Sequence, residues 1–234
     1  MPKIRTRKGD ISYTPIPIYE GIKLVNKEIV FDNLLVLRKV MDEVHINFQL
    51  AYGTLLGACR EHDIIDHDED IDLAFLEEDR LNFFDTLPEL IDRGFRIARW
   101  DRRGCMSIIR NGEYLDLYFF KKVSEKVRGC SGNLMPSVFL EESSYMDFKG
   151  HQFLAPKDWK GFLEFEYGKN WNIPVVYQNF NKSKFVRFVL VTISLIKEYL
   201  PDCLYFPIIK YKERNFQKKY DLKIENYFNT SKEL

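Results

Sequence analysis

The segment Asp68-Glu69-Asp70-Ile71-Asp72 places three aspartates at alternate positions, just before an apolar run. Alternate residues of an extended chain share a face, so the three aspartates should point one way and Glu69 the other. Three carboxylates this close repel one another unless a cation lies among them. Hard divalent ions prefer oxygen ligands, and Mg²⁺ often shares its coordination shell with substrate phosphates. The pattern predicts a Mg²⁺ (or Mn²⁺) site formed by Asp68, Asp70 and Asp72 that handles a phosphorylated ligand.

Asp116 is a further candidate carboxylate, because it interrupts an otherwise apolar strand pattern at residues 114–119. A buried lone carboxylate costs free energy unless it meets a charged partner. If its strand lies beside the one that follows Asp70, Asp116 could bind the same metal or deprotonate an acceptor hydroxyl. Asp70, Asp72 and Asp116 are therefore the candidate catalytic residues. Which of them binds metal and which accepts the proton stays open.

A small glycine-containing turn precedes the acids. Gly53 and Thr54 follow a predicted strand and lead into a predicted short helix at residues 55–60. Backbone N–H groups at such a turn can approach a phosphate, and Arg60 could neutralise phosphate charge through paired hydrogen bonds. Gly53, Thr54 and Arg60 are predicted to bind the substrate.

Two other interpretations fit the acidic segment less well. Runs of acids are most often solvated loops, but this one alternates with apolar residues and continues directly into a strand. It also matches much of a calcium loop if Asp66 is its first position and Glu77 its twelfth. The sixth position of such a loop requires glycine, however, and here it is the β-branched Ile71. The catalytic interpretation is preferred.

The composition is that of a folded globular protein. The chain has 234 residues, with 45% hydrophobic and 30% charged residues, and Lys and Arg balance Asp and Glu at 35 each. The zero net charge gives no indication of nucleic-acid binding. Four scattered cysteines without a CxxC pair argue against zinc and disulfides and suit a reducing compartment. With no signal-peptide pattern, and an apolar stretch at 185–196 that is too short to span a bilayer, the chain is expected to be cytoplasmic.

Periodicity predicts strands and helices in irregular alternation. Helical spacing occupies residues 28–45, 55–60, 79–92, 156–167 and 185–200, whereas strand patterns occupy 46–51, 71–75, 95–100, 106–110 and 114–119. In the helix at 79–92, one apolar side is predicted to contain Leu81, Phe84, Leu87, Leu90 and Ile91. Hairpin turns are predicted at Asn111-Gly112 and Lys149-Gly150. The predicted fold class is α/β (α+β), a mixed β-sheet with flanking helices.

Three regions are predicted along the chain: an irregular N-terminal arm at 1–19, a catalytic domain at 20–176 and a helical extension at 177–234. The extension is basic, with nine Lys or Arg against three acids between residues 182 and 219. Its apolar residues share one helical side, which suits an interfacial helix on the inner face of an anionic membrane. A helix packed on the domain or in a dimer explains the pattern equally well.

Three separated motifs resemble the LicD/fukutin family. They are Gly53-Thr54-Leu55-Leu56-Gly57-Ala58-x-Arg60, then Asp68-x-Asp70-Ile71-Asp72, and last Pro156…Phe162-Leu163…Tyr167-Gly168-x-x-Trp171-x-x-Pro174. The resemblance covers about residues 28–175. Where the family often has Pro-Trp before the acids, this chain has Asp66-His67, and His67 is a candidate phosphate contact or a plain loop residue.

The resemblance implies a nucleotidyltransferase-like fold and transfer of a substituted phosphate. Family members move phosphocholine or ribitol phosphate from a CDP-activated donor to a glycan hydroxyl. The implied acceptor is a glycan or glycolipid in cell-surface polysaccharide synthesis. Two alternatives stay open: transfer of a nucleotide monophosphate, and a non-catalytic calcium-binding module.

Overall fold

The computed structural model describes residues 1–19, 21–175 and 182–230, and within the last helix it leaves out the side chains of 212–217, 219 and 230. The helices of these residues are α1 Lys27–Glu43, α2 Tyr52–Arg60, α3 Arg80–Asp92, α4 Val138–Glu141, α5 Trp159–Tyr167, α6 Lys184–Tyr199 and α7 Asp202–Thr230. The strands are β1 Lys3–Thr6, β2 Gly9–Ser12, β3 Gln49–Leu50, β4 Ile71–Leu76, β5 Arg96–Asp101, β6 Cys105–Arg110, β7 Glu113–Lys122, β8 Val127–Cys130, β9 Asn133–Pro136, β10 Ser143–Phe148 and β11 His151–Pro156.

A mixed sheet forms the centre of the molecule, in the order β10-β11-β3-β4-β7-β6-β5. Strand β4 pairs in parallel with β7, and β11 pairs in parallel with β3, while the other neighbours are antiparallel. A hairpin of β8 and β9 continues from the end of β7. The predicted mixed α/β sheet with flanking helices is confirmed.

The two faces of β4 have different environments. Ile71, Leu73 and Phe75 are fully buried on one face, where the Phe75 ring lies 5.5 Å from that of Phe83 in α3. The alternate residue Asp72 points to the other face, towards the start of α2. Period-two alternation therefore separates the hydrophobic core from a polar surface on the same strand.

Both predicted hairpin turns are present. Asn111 and Gly112 have φ values of 52° and 83°, and Lys149 and Gly150 have 53° and 77°. Two consecutive left-handed residues give the turn whose twist matches a two-residue hairpin, which is why Asn-Gly is a strong signal. The first of these turns fixes the register between β6 and β7, and that register positions the candidate site described below.

Several local predictions were wrong. The N-terminal arm is not irregular, because β1 and β2 pair as a hairpin. The strand predicted at 46–51 is only two residues long. In α3, Leu81 and Ile91 are 46% and 41% exposed, while Phe83 is buried in their place. Strands β8 and β9 and helix α4 were missed, since none of them shows a clean period in the sequence.

The C-terminal extension is helical in the residues described. Its predicted boundary at 176–177 falls within residues 176–181, which lie outside the described chain, as do several side chains of the predicted basic arm. Among the described residues, no helix combines the length and apolarity needed to cross a membrane.

Candidate active site

Four polar residues form one row across the middle of the sheet. Arg99 on β5 pairs with Ser107 on β6, Ser107 pairs with Asp116 on β7, and Asp116 pairs with Asp72 on β4. Residues that pair in this way have neighbouring side chains on the same face of a sheet. The strand order thus brings together residues from four separate segments of the chain.

Three carboxylates converge at one end of this row. Asp70, directly before β4, joins Asp72 and Asp116, and one oxygen from each lies within 4.8 Å of the others. Asp72 and Asp116 are only 8% and 5% exposed. Three clustered carboxylate oxygens with little access to water are a donor set that a hard divalent cation prefers.

The Asp116 carboxylate is held from both sides. Arg99 Nη2 donates to Asp116 Oδ2 at 2.9 Å, and the Ser107 hydroxyl donates to Oδ1. Arg99 Nε also donates to Ser107 Oγ at 3.1 Å, so the two donors support each other. These contacts fix the carboxylate plane and supply the charged partner that the buried aspartate needs.

The charge in the cluster is strongly unfavourable without a cation. Burial raises the pKa of both Asp70 and Asp72 well above the ordinary range, and repulsion from neighbouring carboxylates adds to the rise. For Asp72, hydrogen bonds from Tyr118 and from the Gly53 N–H oppose the shift. Since a bound divalent ion would remove this repulsion, the residues fit the predicted metal.

Asp68 lies beside this cluster rather than in it, so the predicted triplet of Asp68, Asp70 and Asp72 needs correction. The strand begins only at Ile71, and Asp68 ends a turn in which its N–H donates to Ile65 O at 3.1 Å. Strand alternation therefore does not extend back to Asp68. Burial raises its pKa to about 6. Asp116 occupies the third position that Asp68 was predicted to fill.

Gly53 and Thr54 belong to the first turn of α2 instead of a turn before it. The Gly53 N–H donates to Asp72 Oδ2 at 3.2 Å, and Thr54 Oγ1 accepts from the Asp72 N–H at 2.8 Å. Thr54 is buried, and its hydroxyl holds the backbone of Asp72 in place. A Cβ on Gly53 would lie 2.6 Å from Asp68 Oδ2, which explains the glycine.

Arg60 and His67 line a cavity of about 260 Å³ that opens next to Asp68 and Gly53. Tyr167 and Trp171, from the third sequence motif, form part of its wall. Arg60 is ion-paired with Glu61 at 2.6 Å in this state. The predicted substrate-binding residues, apart from the buried Thr54, therefore border one cavity at the edge of the carboxylate cluster.

The calcium-loop alternative is wrong for a geometric reason. Its middle positions form the extended strand β4, which carries the chain roughly 16 Å away from the acids. Asp66, its proposed first ligand, instead forms an ion pair with Lys27 at 2.6 Å. Glu77 therefore cannot close a twelve-residue loop around the same ion.

Sequence reasoning missed Arg99, Ser107 and Tyr118. Each is a polar residue within an apolar strand pattern, the same signal that singled out Asp116. The signal was too weak alone, because the sequence does not give the register that sets Arg99 and Ser107 opposite Asp116.

The carboxylate cluster predicts an unusual pH dependence of stability. The pKa values of Asp68, Asp70 and Asp72 are higher in the folded protein than in the unfolded chain. At pH values between the unfolded and the folded pKa, the folded protein therefore binds more protons than the unfolded chain does. These three groups therefore contribute most to the free energy of unfolding below about pH 4, where they are protonated in both states. Their contribution decreases as the pH rises through about 6 and beyond. Thermal unfolding of metal-free protein from about pH 5 to 8 should show this loss, and Mg²⁺ should oppose it increasingly at higher pH. An Mg²⁺ effect independent of pH would contradict the assignment.

Comparison with known proteins identifies a family that matches the part of the chain containing the cluster. Residues 45–158 match the family described as LicD/FKTN/FKRP, nucleotidyltransferase domain. This chain contains a LicD nucleotidyltransferase domain. The matched residues of the LicD domain include all three carboxylates of the cluster together with Arg99 and Ser107.

Curated relatives of the LicD domain come from distant organisms. An uncharacterized protein of Rickettsia typhi is 27% identical over 144 residues, covering 59% of this chain and 45% of that protein. The ribitol-5-phosphate transferase FKTN of Homo sapiens is 24% identical over 159 residues, covering 62% of this chain and 33% of FKTN. The chain spans half or less of the length of these two relatives.

Two solved structures show a low level of similarity to the chain. The lincosamide antibiotic adenylyltransferase LnuA has a TM-score of 0.44 and 12% identity, with 74% of this chain and 99% of that chain covered. The solution structure of ANT(2'')-Ia has a TM-score of 0.45 and 14% identity, with 86% and 99% covered. Similarity at this level indicates nothing about the substrate of the LicD domain.

Proposed function

We propose that the chain is a transferase that moves a substituted phosphate from a CDP-activated alcohol to a glycan hydroxyl, with Mg²⁺ or Mn²⁺ as cofactor. The observation that carries the proposal is the convergence of Asp70, Asp72 and Asp116 within 4.8 Å inside a LicD domain. The similarity to a ribitol-5-phosphate transferase supports the reaction class.

Asp70, Asp72 and Asp116 would hold the metal, which when bound supplies positive charge to the donor pyrophosphate. The Gly53 N–H keeps Asp72 aligned from α2, while Arg99 and Ser107 keep Asp116 aligned from the neighbouring strands. The carboxylates are thus positioned before the substrate arrives, and preorganised charge is the main source of rate acceleration in such sites.

Asp116 is better suited to bind metal than to accept a proton. Both of its oxygens already accept hydrogen bonds, one from Arg99 and one from Ser107, so an incoming proton would compete with these donors. Asp70 has no hydrogen-bond donor among the described residues and sits at the open end of the cluster. We assign the hydroxyl proton to Asp70, in addition to its metal contact.

The donor would occupy the cavity beside Asp68. Arg60, on release from Glu61, and His67 would contact the donor phosphates there. The rings of Tyr167 and Trp171 offer apolar contact for the rest of the donor. The acceptor hydroxyl attacks the distal phosphorus, the bond to the bridging oxygen breaks, and CMP leaves with that oxygen. Arg60 would stabilise the charge on the departing phosphate.

A donor screen tests the proposal. CDP-choline, CDP-ribitol and CDP-glycerol are each incubated with the protein, Mg²⁺ or Mn²⁺ and a panel of glycans, and CMP is measured. CMP release that needs both metal and glycan is expected with one donor. No CMP from any donor, with pyrophosphate released from a nucleoside triphosphate instead, would overturn phosphate transfer in favour of nucleotidyl transfer.

A further inference from the structure

Helix α6 presents its polar side to the protein and its apolar side outwards. On the inner side, Glu198 accepts hydrogen bonds from the Tyr13 hydroxyl and the Trp100 N–H, and Ser194 Oγ donates to Ile18 O at 3.5 Å. An amphipathic helix on a globular domain ordinarily has the reverse orientation. The outward apolar side therefore needs a separate explanation.

The outer side of α6 is mostly apolar, with Thr192 between Phe188 and Ile196. Phe185 is 74% exposed, Phe188 68%, Ile196 52% and Tyr199 56%. Because each residue of an α-helix turns the chain by about 100°, these four side chains fall within an arc of about 80° around the helix axis. Clustered exposure of large apolar side chains is typical of an interaction surface, whereas singly scattered ones are not.

The first half of α7 repeats the arrangement. Tyr205 and Ile209 are buried against the domain, and Leu204, Ile208 and Tyr211 are exposed at a spacing of four and three residues. We call the seven exposed side chains the outer apolar face, which consists of Phe185, Phe188, Ile196, Tyr199, Leu204, Ile208 and Tyr211.

The charge around the outer apolar face is positive. Residues 182–211 contain five Lys or Arg and two acids, Glu198 and Asp202. Glu198 is buried on the inner side of α6, and Asp202 is ion-paired with Arg102 at 2.8 Å. An apolar face bordered by cations is complementary to an anionic lipid surface, where apolar burial and charge attraction act together.

A groove next to α7 also combines lysines with apolar side chains. It has a volume of about 630 Å³, and Lys121, Lys122 and Lys210 are among the residues that line it. Phe206 and Leu134 contribute apolar walls, and no acid is among the described residues that line it. Lysines beside apolar side chains suit a lipid, whose headgroup carries a phosphate and whose chains are apolar.

We propose that α6 and the first half of α7 dock the protein onto the surface of an anionic lipid bilayer. In this arrangement the helices would lie in the plane of the interface, with the outer apolar face turned towards the lipid. The inference is independent of the proposed phosphate transfer, since binding to vesicles requires no turnover.

Vesicle flotation of the full chain tests the proposal. The protein should float with vesicles of phosphatidylcholine mixed with phosphatidylglycerol, and far less with phosphatidylcholine alone. Phe185→Ser with Phe188→Ser should lower the partition coefficient at least about tenfold, because two apolar anchors are lost. Tyr145→Ser is the matched control, since Tyr145 is 73% exposed on β10, and it should leave flotation unchanged.

Charge-reversal variants measure the electrostatic contribution to vesicle binding separately from the apolar contribution. Lys184→Glu with Lys210→Glu should lower binding to the anionic vesicles about tenfold, while Lys39→Glu on α1 should not. Flotation that is insensitive to the phenylalanine pair would overturn the proposal. So would a vesicle-free dimer, seen in sedimentation, that Phe185→Ser with Phe188→Ser dissociates, since the face would then bind a second copy.

Discussion

Replacing Asp70 with asparagine should lower the turnover number by about two to three orders of magnitude and raise the melting temperature of the metal-free protein. Asp70 is one of three carboxylates within 4.8 Å, and burial together with its neighbours raises its pKa. The ionised group therefore destabilises the fold at neutral pH, and a neutral amide removes that repulsion. Activity and thermal unfolding with and without Mg²⁺ measure the two effects.

A matched variant keeps this test specific. Asp92→Asn, at an exposed position at the end of α3, removes the same charge far from the cluster and should change neither activity nor the Mg²⁺ response. Stabilisation by Mg²⁺ should be much smaller in Asp70→Asn than in the unmodified protein. Full activity in Asp70→Asn would show that the catalytic site lies elsewhere.

Replacing Arg99 with methionine should cost about 3 kcal/mol of the free energy of unfolding in metal-free protein, because Asp116 loses its charged partner. Arg99 Nη2 donates to Asp116 at 2.9 Å, and the Asp116 side chain is 7% exposed. Mg²⁺ should return part of the lost stability, since the metal supplies charge to the same carboxylate. Denaturant unfolding with and without Mg²⁺ gives both values.

Arg96→Met, an exposed position on the same strand β5, is the control for Arg99→Met and should have little effect. Adding Asp116→Asn to Arg99→Met should recover stability, because no unpaired buried charge remains. The double variant should be inactive, since it lacks one of the three proposed metal-binding carboxylates. Equal destabilisation by the Arg96 and Arg99 variants would contradict a specific role for the Arg99–Asp116 pair.

Local sequence signals were sufficient for much of the fold. The Asn111-Gly112 turn depends on two residues that tolerate a left-handed backbone, and helix α1 depends on apolar spacing within one segment. The candidate acids were equally visible, because charged residues within or beside an apolar strand pattern are costly and need a partner. These features involve neighbours in sequence, so the sequence alone could predict them.

The composition of the carboxylate cluster was decided by tertiary structure. Strand alternation seemed to include Asp68, but the strand begins at Ile71, and the parallel pairing of β4 with β7 places Asp116 there instead. The register across β5, β6 and β7 also sets Arg99 and Ser107 against Asp116. Register depends on which segments pair, and no local pattern contains that information.

Helix α6 shows most clearly the difference between what the local sequence determines and what tertiary contacts determine. The sequence by itself determined that residues 185–200 form an amphipathic helix, since periodicity is a local property. Only the tertiary structure decided which side faces the domain. Tyr13 and the Trp100 N–H supply the hydrogen bonds that Glu198 needs, and satisfying a buried carboxylate turns the apolar side outwards.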